Sequence, residues 1–304
     1  MTARNLNNIE LHAGIHTEQI VGTPNKEPKK LPIGTRVVFK EALNRETGAL
    51  ESSYIINLNS LIYSDFGYID SLKDYNAVYR QYCKEWFIDK PKIKRIDFRI
   101  DNYKDDYQEY LKVNNLIVIL LAKLKKMSCT KTFDPLTLKQ KAHTAYKKNS
   151  LNDPKAFITA DGEFVDINKG GKTKARLELR NLTGKSEFIE PREIPSLINT
   201  WCRDLNECLN LYDEVLNEIN KNLLDKWEHY KYTSVRAFVR EHESDIYGKD
   251  QLLNLISNLG TKNAKALYYD LVKSTDISLV SFSDLKCYVK AVIKSLKAFK
   301  GKVT

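Results

Sequence analysis

One alternating stretch decides how this chain folds: Lys94-Arg95-Ile96-Asp97-Phe98-Arg99-Ile100-Asp101. Its even-numbered positions from 96 to 100 are apolar, and its odd-numbered positions from 95 to 101 are charged. Successive side chains of a β-strand point to opposite faces of the sheet. The stretch therefore predicts a strand with one apolar face and one charged face.

A second stretch repeats the pattern: Lys174-Ala175-Arg176-Leu177-Glu178-Leu179-Arg180. Here positions 175, 177 and 179 are apolar, and the positions between them are charged. Two such strands predict one sheet whose charged face mixes carboxylates with arginines. We interpret that face as a working surface for a metal ion and a DNA phosphate.

Composition narrows the class of protein. The chain has 304 residues, 42% of them hydrophobic, and a formal net charge of +10, which favours a polyanionic partner. Its five cysteines are odd in number and form no Cys-x-x-Cys pair, which argues against a zinc finger or a disulfide framework. No apolar run is long enough for a membrane span and no secretory signal is visible, so we expect a cytoplasmic protein without a membrane partner.

The order of elements predicts an α+β fold, with an antiparallel sheet and helices packed on one face. A hairpin is expected from the apolar runs at 36–39 and 54–58, followed by a helix over 71–86, the strand at 94–101 and a helix over 104–126. Asp161-Gly162, flanked by apolar residues, predicts a further hairpin turn. His12 and His16 are four residues apart, which could place both on one helix face as an ordinary surface pair.

The composition changes after Pro191, where helical periodicity replaces strand alternation. We therefore predict two domains, residues 1–190 and an all-α region of residues 191–304 that binds DNA or a partner. A helix ending at Gly260 and a helix capped by Thr261 are compatible with a helix-turn-helix, but an ordinary corner of a helical bundle explains them better. The last helix carries a lysine stripe that is either a solvated face or a phosphate contact: Lys286, Lys290, Lys294 and Lys297.

The charged strand faces offer candidate ligands. Asp97, Asp101 and Glu178 are carboxylates without a neighbouring cysteine, a donor set that suits Mg²⁺ or Mn²⁺ better than zinc. Four arginines on the same faces can bind phosphate oxygens in bidentate fashion: Arg95, Arg99, Arg176 and Arg180. The competing interpretation is a set of cross-strand ion pairs without function, and the pattern alone favours it.

A candidate nucleophile lies in a lysine-rich segment. Tyr146 is one of 17 tyrosines, but Lys147 and Lys148 follow it directly, and nearby cations favour a phenolate. A phenolate that attacks a phosphodiester forms a phosphotyrosine link and frees a hydroxyl. His143, three residues earlier, is a substitute ligand, a base or a bystander.

The collinear order of these motifs resembles rolling-circle replication initiators, above all the gene II replication proteins of filamentous phages and, more distantly, the Rep_trans plasmid initiators. The residues that carry the resemblance are Lys94-Arg95-Ile96-Asp97, Ala145-Tyr146-Lys147-Lys148 and Ala175-Arg176-Leu177-Glu178-Leu179-Arg180. The His-hydrophobe-His ligand pair of many related nickases is absent from this sequence.

The resemblance implies a nicking domain in residues 1–190. It implies that Tyr146 cuts one strand at an origin, stays bound to the 5′ phosphate and later rejoins the ends. It places the metal-binding carboxylates at Asp97 and Glu178, and Asp101 matches the Asp-x-x-x-Asp pattern of the plasmid group. The implied partners are single-stranded or supercoiled origin DNA, a host helicase and polymerase, and a second copy of the chain. The alternative function is a non-catalytic origin- or operator-binding protein.

Overall fold

The structure, a computed structural model, describes residues 9–22, 37–43, 48, 50–57, 69, 71–87, 90–103, 107–133, 140–147, 155–164, 173–183, 187–274 and 279–301. The strands are β1 (His12–Gly22), β2 (Val37–Leu43), β3 (Leu50–Asn57), β4 (Lys92–Tyr103), β5 (Ser128–Phe133), β6 (Gln140–Lys147), β7 (Lys155–Phe164) and β8 (Thr173–Leu182). The helices are α1 (Leu72–Glu85), α2 (Tyr107–Leu124), α3 (Ile194–Glu207), α4 (Tyr212–Tyr230), α5 (Val235–Glu241), α6 (Lys249–Asn258), α7 (Ala264–Ser274) and α8 (Phe282–Lys300).

The strands form one antiparallel sheet in the order β2-β3-β1-β4-β8-β7-β6-β5. The two alternating stretches become β4 and β8 and pair at its centre, with Phe98 opposite Leu179. Their apolar side chains are fully buried, and α2 packs against β6, β7 and β8 while α8 packs against β1 and β4. This confirms the predicted α+β class.

The helix boundaries follow capping chemistry. Ser71 precedes α1, and its Oγ accepts a hydrogen bond from the backbone N–H of Asp74 at 3.1 Å. Ser281 and Asp284 form a capping box at the start of α8, where the sequence places the cap. The helices predicted over 71–86 and 104–126, and the hairpin of β2 and β3, are confirmed within a few residues of their ends.

Three local predictions are wrong. His12 and His16 lie on strand β1, not on a helix. Asp161 and Gly162 lie inside β7, because β8 pairs with both residues and β6 pairs with Asp161 from the other side, which keeps the strand extended. Asn263, not Thr261, caps α7, because its Oδ1 accepts a hydrogen bond from the backbone N–H of Ala266 at 3.1 Å.

Two hydrophobic clusters fill the described part of the chain. The larger one joins the apolar face of the sheet to α1, α2, α3 and α8, so apolar packing continues past residue 190. The smaller one lies between the end of α4 and helices α5, α6 and α7. The domain boundary at 190/191 stays a prediction.

All five cysteines are free thiols. None of the helices in the described ranges is long and apolar enough to cross a membrane.

Candidate functional site

The charged face of β4 and β8 is an ion-paired lattice. The register places Asp97 opposite Arg180, Arg99 opposite Glu178 and Asp101 opposite Arg176, so each of these three cross-strand pairs joins opposite charges. The sequence alone indicates a solvated face. Most of this charged face is instead buried in the structure: Asp97, Arg99 and Asp101 are each at most 1% exposed.

Asp101 holds two arginines. Its carboxylate accepts hydrogen bonds from Arg99 Nη1 at 2.5 Å and from Arg176 Nε and Nη2 at 2.6 and 3.0 Å. Both guanidinium groups are 1% exposed. Burial of Arg99 and Arg176 leaves Arg95 and Arg180 as the arginines of this face that reach the surface, with side chains 25% and 21% exposed.

Arg180 links the other two carboxylates. Its Nη2 donates to Glu178 Oε2 at 2.8 Å, and its Nε lies 3.7 Å from Asp97 Oδ2. Arg95 donates from Nε to both oxygens of Asp97 at 2.9 and 3.0 Å. Asp97 and Glu178 are therefore diagonal neighbours joined through one guanidinium group.

The two carboxyl groups differ in pKa. Burial raises the pKa of Asp97 above its ordinary value, although Arg95 and Arg180 oppose the shift. Burial also disfavours the charge on Glu178, but His16, Arg180 and Arg176 outweigh it and hold the pKa of Glu178 below its ordinary value. Asp97 is thus the carboxyl group of the pair that takes up a proton more readily.

His16 joins this face through a β-bulge. The register of β1 against β4 moves from Ile15–Phe98 to Thr17–Asp97, so His16 is the extra residue. Arg176 Nη1 lies 2.9 Å from His16 Nδ1, and His16 Nε2 lies 3.3 Å from Glu178 Oε1. Arg176 Nη1 also lies 3.2 Å from Nε2. Because a guanidinium group can only donate and a carboxylate can only accept, the tautomer with its proton on Nε2 is the one that satisfies both the shorter Arg176 contact and Glu178.

The imidazole of His16 is neutral. Burial lowers its pKa to about 3, and Glu178 offsets only part of that shift. His16 therefore lowers the pKa of Glu178 only where the ring is itself protonated, and near neutral pH the uncharged ring orients Glu178. His16 was not assigned to this site from the sequence, because a β-bulge places it on the charged face and strand alternation alone does not predict a bulge.

Gly14 makes room for the network. It lies opposite Arg99 in the register, and a Cβ atom there would come within 2.9 Å of both Arg99 Nη2 and the backbone oxygen of Ile69. Only glycine leaves that space to the guanidinium group. The sequence signal was a glycine between the strand residues Ala13 and Ile15.

The carboxylates do not form a ready metal site. No group of three or more His, Cys, Asp or Glu side chains that could hold a metal ion occurs in the ranges that the structure describes. Asp97, Asp101 and Glu178 are each bound by arginine, and His16 Nε2 directs its proton, not a lone pair, at Glu178. In this arrangement the arginine side chains neutralise the negative charge of the three carboxylates.

Tyr146 lies on the charged side of the sheet. Thr144 pairs with Thr159, and Thr159 pairs with Glu178, so Thr144 shares a face with Glu178. Tyr146 follows two residues later in a strand that pairs regularly with β5, so it lies on that same face, half-buried. Ala145 and Leu179 lie at one level, since both pair with Ile158, and the register of β6 against β7 shifts directly after them, where Tyr146 pairs with Ala156. Two strand spacings, about 10 Å, separate β6 from β8.

His143 lies on the opposite face of β6. It pairs with Ala160, which belongs to the buried apolar side, and is 3% exposed. Burial, then the neighbouring Lys131, lowers the pKa of His143 to about 3. His143 and Tyr146 are three positions apart, an odd number, so their side chains lie on opposite faces of the sheet and cannot exchange a proton directly.

The lysine-rich segment around residues 123–148 is partly neutralised by distant acids. Lys125 forms an ion pair with Asp204, and Lys131 forms one with Asp245. Lys123 contacts Glu214 at 3.0 Å. Lys147 ends β6, and Lys148 lies outside the described residues.

The chain was compared with protein-family models, curated proteins and solved structures. No protein-family model matches the chain, and no curated protein matches it. Among solved structures, the chain is similar to the rolling circle replication initiator protein from Geobacillus stearothermophilus, with a TM-score of 0.26 and 14% sequence identity. That likeness covers 56% of this chain and 75% of the other.

Proposed function

We propose that the chain is a rolling-circle replication initiator, an enzyme that nicks one DNA strand at an origin through a phosphotyrosine intermediate and later rejoins the ends. One observation carries the proposal: Tyr146 lies on the same sheet face as Arg180, two strands away, and Arg180 is the arginine that joins Asp97 to Glu178. A nucleophile and a phosphate-binding cation at this separation can hold one phosphodiester between them.

In this mechanism Arg180 and Arg95 bind the phosphate oxygens. They are the partly exposed members of the arginine set, and guanidinium groups match phosphate geometry. Asp97 and Glu178 fix both guanidinium groups before DNA arrives, so little ordering remains at the moment of reaction. Arg99, Arg176 and Asp101 form the fully buried part of the same face, further along the two strands.

The chemical step is an exchange at phosphorus. The Tyr146 phenol gives up its proton, its oxygen forms a bond to phosphorus, and the bond from phosphorus to the 3′ oxygen breaks. The 3′ oxygen takes up a proton and leaves as a hydroxyl, while the 5′ phosphate stays on the tyrosine. Attack of a 3′ hydroxyl on the phosphotyrosine reverses the step and rejoins the strand.

Dependence on Mg²⁺ or Mn²⁺ remains a prediction from the sequence. Asp97, Asp101 and Glu178 are the predicted ligands, and an ion there would have to displace arginine contacts. We likewise propose that Lys147 and Lys148 bind phosphate. The proposed partners are a host helicase, a polymerase and a second copy of the chain, and the proposed location is the cytoplasm.

A covalent adduct tests the proposal. The chain is incubated with a pool of random single-stranded oligonucleotides and Mn²⁺ or Mg²⁺, and adducts that survive denaturing electrophoresis are counted. We expect an adduct with the unsubstituted chain and none with Tyr146→Phe. Tyr230→Phe is the matched control, because Tyr230 is 65% exposed and lies on α4, away from the charged face. An adduct that persists in Tyr146→Phe would place the nucleophile elsewhere.

The second candidate function is a non-catalytic origin- or operator-binding protein. The observation that favours it is the completeness of the ion pairing on the charged face, which a purely structural lattice would share. A chain that binds duplex DNA but forms no adduct with any divalent metal would establish this function instead.

A further inference from the structure

Helices α5, α6 and α7 form a small unit with its own core. Phe238 of α5, Leu252 and Leu255 of α6, and Leu271 of α7 are all 0% exposed and belong to one hydrophobic cluster. Leu223 and Trp227 at the end of α4 close the cluster. This core fixes the orientation of α7 without using the helix's outer face.

A tight turn joins α6 to α7. Gly260 has a φ of +77°, a backbone conformation that side chains rarely adopt, and the turn ends at Asn263, which caps α7. The buried face of α7 presents Tyr268 and Leu271 to the core. The arrangement is a helix, a short glycine-containing turn and a second helix whose opposite face is exposed.

The exposed face of α7 combines lysines with an aromatic ring. Lys265, Tyr269 and Lys273 are spaced four residues apart, so they line one side of the helix, and Lys262 precedes it. All four are exposed, with Tyr269 at 58%. Ala266, also exposed, leaves the backbone close to the surface of this side.

No acid on α7 neutralises these lysines. Asp270 is the one acidic residue of the helix, and Arg236 of α5 binds its carboxylate in an ion pair. The outer face is thus positive and carries an exposed ring, which is more than solubility requires. A convex helix with this composition complements the major groove of duplex DNA, which is about 12 Å wide and admits an α-helix.

We propose that α7 reads double-stranded DNA in the major groove, with Lys265 and Tyr269 facing base edges and Lys262 and Lys273 facing phosphates. Lysine can donate to the guanine O6 and N7 acceptors exposed in that groove. The inference rests on the proposed function, because it supplies the duplex recognition that directs the nicking face to one site. Single-stranded DNA instead suits a concave groove with stacking platforms.

Selection from a random duplex library tests α7. The probe is the full chain carrying Tyr146→Phe, which keeps the DNA intact, and bound duplexes are sequenced after several rounds. We expect enrichment of one motif. Adding Lys265→Ala and Tyr269→Ala should weaken binding to that motif at least tenfold, since each good base contact contributes about 1–3 kcal/mol.

The matched control removes the same residue types from α4. Lys221 and Tyr230 are both exposed, so Lys221→Ala with Tyr230→Ala should leave the motif and its affinity within twofold. Thermal unfolding of each variant establishes that it is folded. The proposal is overturned if the parent enriches no motif, or if the α7 variant binds the same motif with unchanged affinity.

Failure of this proposal is distinguishable from failure of the nicking proposal. The adduct assay uses single strands and the unsubstituted chain, whereas the selection uses duplexes and the Tyr146→Phe chain. A motif without an adduct refutes nicking and keeps α7 as a reader of duplex DNA. If an adduct forms but no duplex motif is enriched, only the proposed role of α7 is refuted, and the nicking proposal stands.

Discussion

The charged face of the sheet and the outer face of α7 use charge in opposite ways. On the sheet, Arg99 and Arg176 are buried and paired with Asp101, so their charges are locked in position. On α7, Lys265 and Lys273 are exposed, and the nearby Asp270 is bound by Arg236. Buried pairs give fixed geometry but depend on every partner, whereas exposed cations give long-range attraction that salt weakens.

Removing one buried partner should have the largest effect. Asp101→Asn leaves two buried guanidinium groups without their carboxylate, and we expect a loss of about 3–5 kcal/mol in unfolding free energy. Urea denaturation at pH 7 measures it. Asp225→Asn, at an exposed position on α4, is the control and should change stability by less than about 0.5 kcal/mol. Equal effects from the two substitutions would show that the ion pairs of Asp101 with Arg99 and Arg176 do not stabilise the folded chain.

Filling the space beside Arg99 should have the next effect. Gly14→Ala forces a Cβ atom against a guanidinium group and a backbone oxygen, and overpacking of this kind costs about 1–3 kcal/mol. Differential scanning calorimetry should show a lower Tm, together with a lower adduct yield from the displaced arginines. An unchanged Tm would mean that this corner of the network is loosely packed.

Acid should destabilise the chain through His16. Its pKa is about 3 when folded and about 6.5 in a model compound, so below pH 6.5 the unfolded chain binds the proton first. The contribution of His16 to the unfolding free energy is therefore fully present above pH 6.5. It falls by about 1.4 kcal/mol for each pH unit below that, down to the pKa of the folded chain. His16→Asn should shrink the loss between pH 7 and pH 5 by about 2 kcal/mol in urea titrations. The control, His229→Asn, alters an exposed residue and should keep the full loss.

The smallest stability effect is expected on α7. Lys273→Ala should change the unfolding free energy by less than about 0.5 kcal/mol, because the residue is exposed. The same substitution, at a residue proposed to face a phosphate, should lower the salt dependence of duplex binding, the slope of log K against log salt concentration, by about 1. Fluorescence anisotropy between low and moderate salt measures the slope, and an unchanged slope would exclude a phosphate contact by Lys273.

Periodicity predicted the centre of the fold. The alternation in β4 and β8 indicated two strands and their faces, and the apolar centre of α2 indicated a buried helix, since these signals lie within one element. Strand β1 escaped prediction because its polar residues and the bulge at His16 interrupt the alternation. The prediction of a turn at Asp161-Gly162 was wrong because the pairing of β7 with its neighbouring strands outweighed local turn chemistry.

The sequence predicted which residues form the candidate site, but not how deeply they are buried or which distant residues contact them. The alternating arginines and carboxylates of the two strands were visible in the sequence, whereas their burial depends on the fold around the sheet. The partners of Lys125 and Lys131 are also invisible to local reasoning, because Asp204 and Asp245 lie in helical regions far along the chain. Long-range contacts, unlike strand period, leave no local signature.

Mapping the covalent adduct tests the central claim most directly. The chain is reacted with random single-stranded oligonucleotides in Mn²⁺ or Mg²⁺, digested, and analysed by mass spectrometry for a tyrosine that carries a 5′-phosphate-linked nucleotide. The account predicts that this nucleotide is found on Tyr146. A nucleotide on any other tyrosine, or no adduct with either metal, would contradict it.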